Sequence, residues 1–153
     1  MKFGKIYNTS IGKISIIQEG EYIVKIEFGE ILKDVEIKET TLISKTINEI
    51  KEYLNGNRKK FDIPIKLNGT GFQKKVWNEL LKIPYGETCS YKDIAIRINN
   101  EKGVRAVGMA NHNNPIAIIV PCHRVIGKNG KLVGYAGGID IKSKLLEIEK
   151  LFS

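Results

Sequence analysis

Two cysteines and two histidines are all the thiols and imidazoles in the 153-residue chain. Two of the four are neighbours, in Pro121-Cys122-His123-Arg124-Val125. A thiolate at the end of a rigid element beside a cation is a soft, activated nucleophile. Here His123 could supply the base and Arg124 the positive field. The preceding run Ile116-Ala117-Ile118-Ile119-Val120 is rich in β-branched residues and reads as a strand between two prolines. Consecutive side chains of an extended chain point to opposite faces, so a direct Cys122–His123 hydrogen bond is not expected. A water relay or a bend would be needed. The pentapeptide alone leaves two readings open, nucleophile and buried structural cysteine, because free cysteine is among the most buried residue types. Cys89 lacks such neighbours and reads as a small buried hydrophobe.

Metal chemistry fits poorly. Cys89, Cys122, His112 and His123 make a two-Cys, two-His set by arithmetic. Structural zinc ligands, however, usually stand two or more residues apart, and Cys122 and His123 are adjacent. No metal is expected. Two cysteines also allow at most one disulfide and no disulfide framework.

The elements that must position this pentapeptide fall into two regions. At about 150 residues per domain, the length suits one domain or two small packed ones. In the first region Ile14–Ile17 and Tyr22–Phe28 read as strands about a Glu19-Gly20 turn. Thr41–Leu54 places Leu42, Ile43, Thr46, Ile47, Ile50 and Leu54 at helical spacing, a face for that sheet, and Gly56 reads as its left-handed cap. Arg58-Lys59-Lys60 and the Pro64 segment read as a connector. In the second region Thr70-x-x-Gln73 and Ser90-x-x-Asp93 fit capping boxes, opening helices over 71–82 and 91–98. Phe72, Val76, Leu80 and Ile83 should face inward. Ile83–Glu87 reads as a turn. A helix over 102–111 would complete a helix-turn-helix, and a last helix from Asp140 should bury Ile141, Leu145, Ile148 and Phe152.

The charge is uneven. The formal net charge is +8; residues 1–66 hold 12 Lys+Arg against 10 Asp+Glu, and residues 67–153 hold 13 against 7. A basic half suits a polyanion, because Lys and Arg at phosphates release condensed counterions; it suits plain solubility as well. No apolar run is long enough to span a bilayer. The amino-terminal MKFGKIYNTS has charge but no apolar stretch, so no secretory signal is expected, and a soluble cytoplasmic protein is the expectation.

The second region resembles the O6-alkylguanine-DNA alkyltransferases, also called methylated-DNA–protein-cysteine methyltransferases. The matching stretches are Phe72-Gln73-x-x-Val76-Trp77, Ile83–Thr88, Ser90-Tyr91, Arg105–Gly108, Asn114-Pro115, Ile119–Ile126, Gly134-Tyr135-x-Gly137-Gly138 and Lys142-x-x-Leu145-Leu146-x-x-Glu149. They run in family order over about half the chain. The implied fold class is α/β (α+β): a small RNase H-like amino-terminal domain, residues 1–66 with the connector, and a mainly helical domain, residues 67–153, with a winged-helix-like helix-turn-helix.

The resemblance also implies an activity: irreversible, single-turnover transfer of the alkyl group from O6-alkylguanine, and from O4-alkylthymine, in double-stranded DNA to Cys122. An sp³ carbon needs a soft nucleophile, and the thiolate carries the chemistry without a cofactor. His123 would act as base through a water and Glu149 would orient it, although Glu149 by residue type alone reads as an exposed carboxylate. Tyr91 would donate to guanine N3, the leaving group being stabilised by a donor. Carbonyls of Cys122 and Val125 would accept from the exocyclic amine, the Ala136 amide would donate to O6, and Tyr135 would wall the pocket. A base in a duplex must leave the stack to be attacked. Arg105 would fill the gap. Ala106, Gly108 and Ala110 would allow close approach of DNA, with Tyr91 and Arg124 also at the DNA and His112 and Lys102 at phosphates. Asn114 would be the hinge to the active-site segment. The implied protein is a monomer whose partner is DNA.

Three rivals differ in what they leave unused. A DNA-binding regulator without chemistry leaves the Cys122–His123 block idle. An alkyltransferase-like lesion binder lacks the acceptor cysteine, which is present here. A thiol hydrolase needs a remote histidine, and His112 is the single candidate.

Overall fold

Isoleucine crowds the start of the chain, and three antiparallel strands form there: β1 (Lys2–Thr9), β2 (Gly12–Glu19) and β3 (Tyr22–Phe28). The short β4 (Glu36–Ile37) joins β1 in parallel, giving the order β3-β2-β1-β4. β2 is central, and Ile14, Ser15, Ile16 and Ile17 are all buried, which explains why its sequence does not alternate. The computed structural model describes residues 1–132, 135 and 137–153. Contacts divide the chain into two units, residues 1–68 with 115–117, and residues 69–114 with 118–153.

In the first unit α1 (Thr41–Leu54) starts where Thr40 Oγ1 accepts the Ile43 N–H at 3.0 Å. It packs on the sheet through Ile43, Thr46, Ile47, Ile50 and Tyr53. Leu42 and Leu54, expected on that face, are half-buried. Gly56 follows with φ 79°. The connector adds to the sheet, with the Ile23 N–H donating to Pro64 O at 2.9 Å. The apolar run after Asn114 contributes too: the Ile26 N–H donates to Pro115 O, and the Ala117 N–H to Ile26 O.

The second unit contains α2 (Gly71–Leu80), β5 (Cys89–Ser90), α3 (Tyr91–Arg97), α4 (Val104–His112), β6 (Val125–Ile126) and α5 (Ile139–Phe152). Both capping boxes are formed, Thr70 with Gln73 and Ser90 with Asp93. α3 and α4 pack on each other and both pack on α2. Trp77, fully internal, donates its Nε1–H to the Ala110 carbonyl at 2.8 Å. β5 and β6 pair in parallel, Cys89 beside Val125 and Ser90 beside Ile126, which brings the start of α3 to the segment after Cys122. Cys89 is buried and free.

Two expectations are corrected. Residues 117–120 form turns rather than a strand. Within them Ile118 has φ 73°, a conformation strained for a β-branched residue. The inward face of α5 is not the expected apolar stripe either: Lys142, Leu145 and Glu149 are buried, Ile141 and Ile148 are half-buried, and Phe152 is 40% exposed. The helix is rotated because two of its charged residues find partners inside. Among the described residues no helix is long and apolar enough to cross a membrane.

Candidate active site

Cys122, His123 and Arg124 form one turn of 3-10 helix, entered from Pro121 and closed by the Arg124 N–H donating to Pro121 O at 3.0 Å. Side chains on such a turn fan out at three residues per turn rather than alternating. The opposed-face geometry expected for an extended Cys122-His123 pair therefore does not apply. Both side chains are buried, Cys122 at 5% exposure and His123 at 0%.

Glu149 organises the turn. Its Oε2 lies 2.6 Å from His123 Nε2. Arg124 grips the same carboxylate with both ends of its fork, Nε to Oε1 at 2.8 Å and Nη2 to Oε2 at 3.0 Å. The Gly86 N–H donates to Oε1 at 3.1 Å. Gly86 has φ 82°, and a Cβ there would meet Ser153 Cβ at 2.8 Å, so the Pro84–Gly86 turn needs glycine at this point. The remaining Arg124 nitrogen, Nη1, donates to Ile83 O at 2.6 Å. Burial holds the His123 imidazole below its ordinary value; Glu149 pulls it up, and the Arg124 and Lys142 charges push it down. A neutral imidazole beside a carboxylate can accept a proton.

Lys142, two turns before Glu149 on α5, is 0% exposed. Its Nζ lies 5.8 Å from the Tyr91 ring centroid. Burial draws the Lys142 ammonium down and the Cys122 thiol opposes that. Burial pushes the Cys122 thiol up, while the Asn114 side chain, the Lys142 charge and the Tyr135 hydroxyl act to lower it. Burial prevails and holds the thiol above its ordinary value, while a cation and two donors around it offset part of that cost.

Tyr91, first residue of α3, is half-buried and electrostatically coupled to Cys122. Asn114 Nδ2 donates to Val120 O at 2.8 Å, tying the end of α4 to the approach to Cys122. Val125 lies on β6 and Tyr135 is buried. Ala136 and Gly134, expected at the base, lie outside the described residues.

The expected DNA face is divided. Arg105, Ala106, His112 and Lys102 are exposed, Gly108 is half-buried, and Ala110 is buried against Trp77. Arg124, expected at DNA, is instead 8% exposed with all three guanidinium nitrogens bonded inside the unit. It serves the carboxylate, not a phosphate.

Three residues of the site escaped the sequence reading: Lys142, Asn111 and Gly86. Lys142, Leu145 and Glu149 stand at i, i+3 and i+7, one helix face, which was the available signal. Asn111, 1% exposed, carried none.

Family models match in two blocks. The DNA binding domain of 6-O-methylguanine DNA methyltransferase matches residues 71–151, and its ribonuclease-like domain matches residues 3–67. The chain belongs to the 6-O-methylguanine DNA methyltransferase family. Family likeness therefore reaches the first region, where the motifs were silent. The methylated-DNA–protein-cysteine methyltransferase of Methanosarcina acetivorans is 46% identical over 149 residues, 94% of this chain and 96% of that one. The constitutive methylated-DNA–protein-cysteine methyltransferase of Bacillus subtilis is 42% identical over 160 residues, 99% and 97% of the two chains. Among solved structures, the O6-methylguanine methyltransferase of Mycobacterium tuberculosis aligns with a TM-score of 0.92 at 40% identity, over 100% of this chain and 95% of that one. The Mycobacterium tuberculosis OGT in complex with DNA aligns with a TM-score of 0.90 at 41% identity, over 99% and 94%.

Proposed function

We propose that this chain repairs DNA by direct reversal, moving the alkyl group of O6-alkylguanine irreversibly onto Cys122, with O4-alkylthymine as a second substrate. The observation that carries the reading is the buried set Cys122–His123–Glu149, in a chain of this family, with His123 Nε2 held 2.6 Å from the carboxylate. Glu149 occupies Nε2, so Nδ1 is the nitrogen that takes the Cys122 proton, through water. The thiolate forms the S–C bond and the C–O6 bond breaks. Its electron pair stays on the guanine, which regains one proton. Tyr91 donates to N3 and lowers the cost of that charge. Burial keeps the imidazole neutral before the reaction, Arg124 adds to that by occupying the carboxylate, and the Lys142 cation supports the thiolate. Val125, Tyr135 and Ala136 shape the pocket around the base.

Double-stranded DNA is the partner of this proposal, met by the exposed side of α4. Arg105 fills the gap left by the flipped nucleotide, Ala106 and Gly108 let the backbone come close, and Lys102 and His112 meet phosphates. Asn114 is the hinge. Residues 67–153 hold both the DNA and the thiol. A monomer in the cytoplasm completes the reading; free Cys89 and Cys122 suit a reducing compartment.

Intact-mass spectrometry after incubation with an O6-methylguanine duplex tests it. One methyl group per chain is expected, with none on Cys122→Ser. An unmodified wild-type chain, or a modification that persists in Cys122→Ser, overturns the proposal.

A further inference from the structure

α4 has two distinct sides. Val107, Ala110 and Asn111 face inward, and Asn111 Nδ2 donates to the Cys122 carbonyl at 3.3 Å, which ties the helix to the turn that carries the thiol. Val104, Arg105, Ala106, Met109 and His112 are exposed. Met109 is the odd member of that set: a long apolar side chain, 62% exposed, on the side that the proposed function gives to DNA. A single exposed apolar residue is ordinary on a protein surface; the place of this one is not. It stands one turn after Arg105, and residues four apart share a helix face. Helical side chains also lean toward the amino end, so Met109 leans toward Arg105.

A thioether carries no charge and is a weak acceptor, so Met109 gains nothing from a phosphate. What a duplex offers such a side chain is the flat apolar face of a base, and those faces are covered as long as the stack is closed. The stack opens where the target nucleotide leaves it, and Arg105 is assigned to that gap. A helical turn is about 5.4 Å and a base step about 3.4 Å, so a side chain one turn from Arg105 reaches the bases that border the gap. Apolar side chains, Met among them, serve as wedges between base steps in proteins that kink DNA. The unbranched, polarizable Met also adapts to an irregular opening. Ala106 and Gly108 are too short for this, and Val104, the first residue of the helix, is short and branched. We infer that Met109 packs on a base bordering the gap and keeps the stack open beside Arg105, so that one cation and one apolar wedge together hold the flipped state. This inference rests on the proposed function.

The chain has two methionines, Met1 and Met109, which makes the test direct. With isotope-labelled methionine methyl groups, NMR follows Cys122→Ser, which cannot accept the alkyl group, as an O6-methylguanine duplex is added. Ring currents of the neighbouring bases should move the Met109 signal upfield, with Met1 as the internal control. Single-turnover transfer, read by intact mass, should fall about tenfold on the duplex in Met109→Ala, the low end of what burying a Met side chain is worth. Transfer from the free base O6-methylguanine should stay unchanged, and Met109→Leu should restore most of the duplex rate. Met109→Lys separates a wedge from a backbone contact: it should bind duplex with a steeper salt dependence yet repair it as slowly as Met109→Ala. The side chain is exposed, so all three variants should melt with wild type. A Met109 signal that stays in place overturns the inference, and so does Met109→Lys repairing at the wild-type rate, or equal losses on duplex and free base. No transfer by wild type from the duplex strikes the proposed function, and this inference with it, by a result distinct from these.

Discussion

Replacing Arg124 with methionine removes a guanidinium that holds both oxygens of Glu149 inside the protein, and leaves the carboxylate with His123 and the Gly86 N–H. Breaking a buried pair from one side costs about 3–5 kcal/mol, because the remaining charge stays desolvated. In a protein of this length 1 kcal/mol moves Tm by roughly 2–4 °C, so Arg124→Met should melt about 6–20 °C lower at neutral pH. The loss should also depend on pH, in a definite sense. In wild type the folded imidazole of His123 is held below its ordinary value, first by burial, with Arg124 and Lys142 adding to it against Glu149. The unfolded chain then binds a proton that the folded chain refuses. That contribution is fully present above the ordinary histidine value of 6.5 and is lost as pH falls toward the folded value. Without Arg124 the imidazole beside an unrelieved carboxylate protonates more readily, and the ion pair so formed restores part of the lost stability. The penalty measured at pH 7.5 should therefore shrink at pH 5.5. Urea denaturation followed by the fluorescence of Trp77 reads it, since this is the one tryptophan and it is buried in the same unit as the site. A penalty below about 1 kcal/mol, the range of exposed pairs, or one that grows as pH falls, refutes the reasoning.

Arg105→Ala should weaken repair of a duplex far more than transfer from a free-base analogue, because the exposed Arg105 side chain is assigned to the duplex and not to the pocket; equal losses on both substrates contradict that role. Trp77→Phe deletes the 2.8 Å bond to the Ala110 carbonyl and leaves a buried acceptor, for a cost of about 1–3 kcal/mol. Thermal unfolding followed by circular dichroism measures it, and an unchanged midpoint shows that the bond contributes nothing.

Much of the second unit was legible because its signals are local. Thr70 with Gln73 and Ser90 with Asp93 name their helix starts within four residues, and both capping boxes are formed. Gly56 likewise marked the end of α1. β1 was missed because its residues are half-buried almost throughout, so no alternation separates one face from the other. The β-branched run before Cys122 imitated a strand; it turns because it is divided, Ile116 pairing with Ile26 and Ile118 taking φ 73°. The inward face of α5 could not be read from hydrophobicity, since what rotates Lys142 and Glu149 inward is their partners on other segments. Arg124 is the same lesson in reverse: read as a positive field beside the thiol and, by resemblance, as a DNA contact, it is drawn inside by one carboxylate 25 positions away.

The Gly86 turn has a practical side. This residue has no side chain to lose, yet in a mutational scan it would score with Cys122 and Glu149, because any Cβ at φ 82° disturbs the amide that the carboxylate receives. The obstruction such a Cβ meets is Ser153, so a bulky side chain at position 153 would press on the same turn and, through it, on the amide that holds the Glu149 carboxylate.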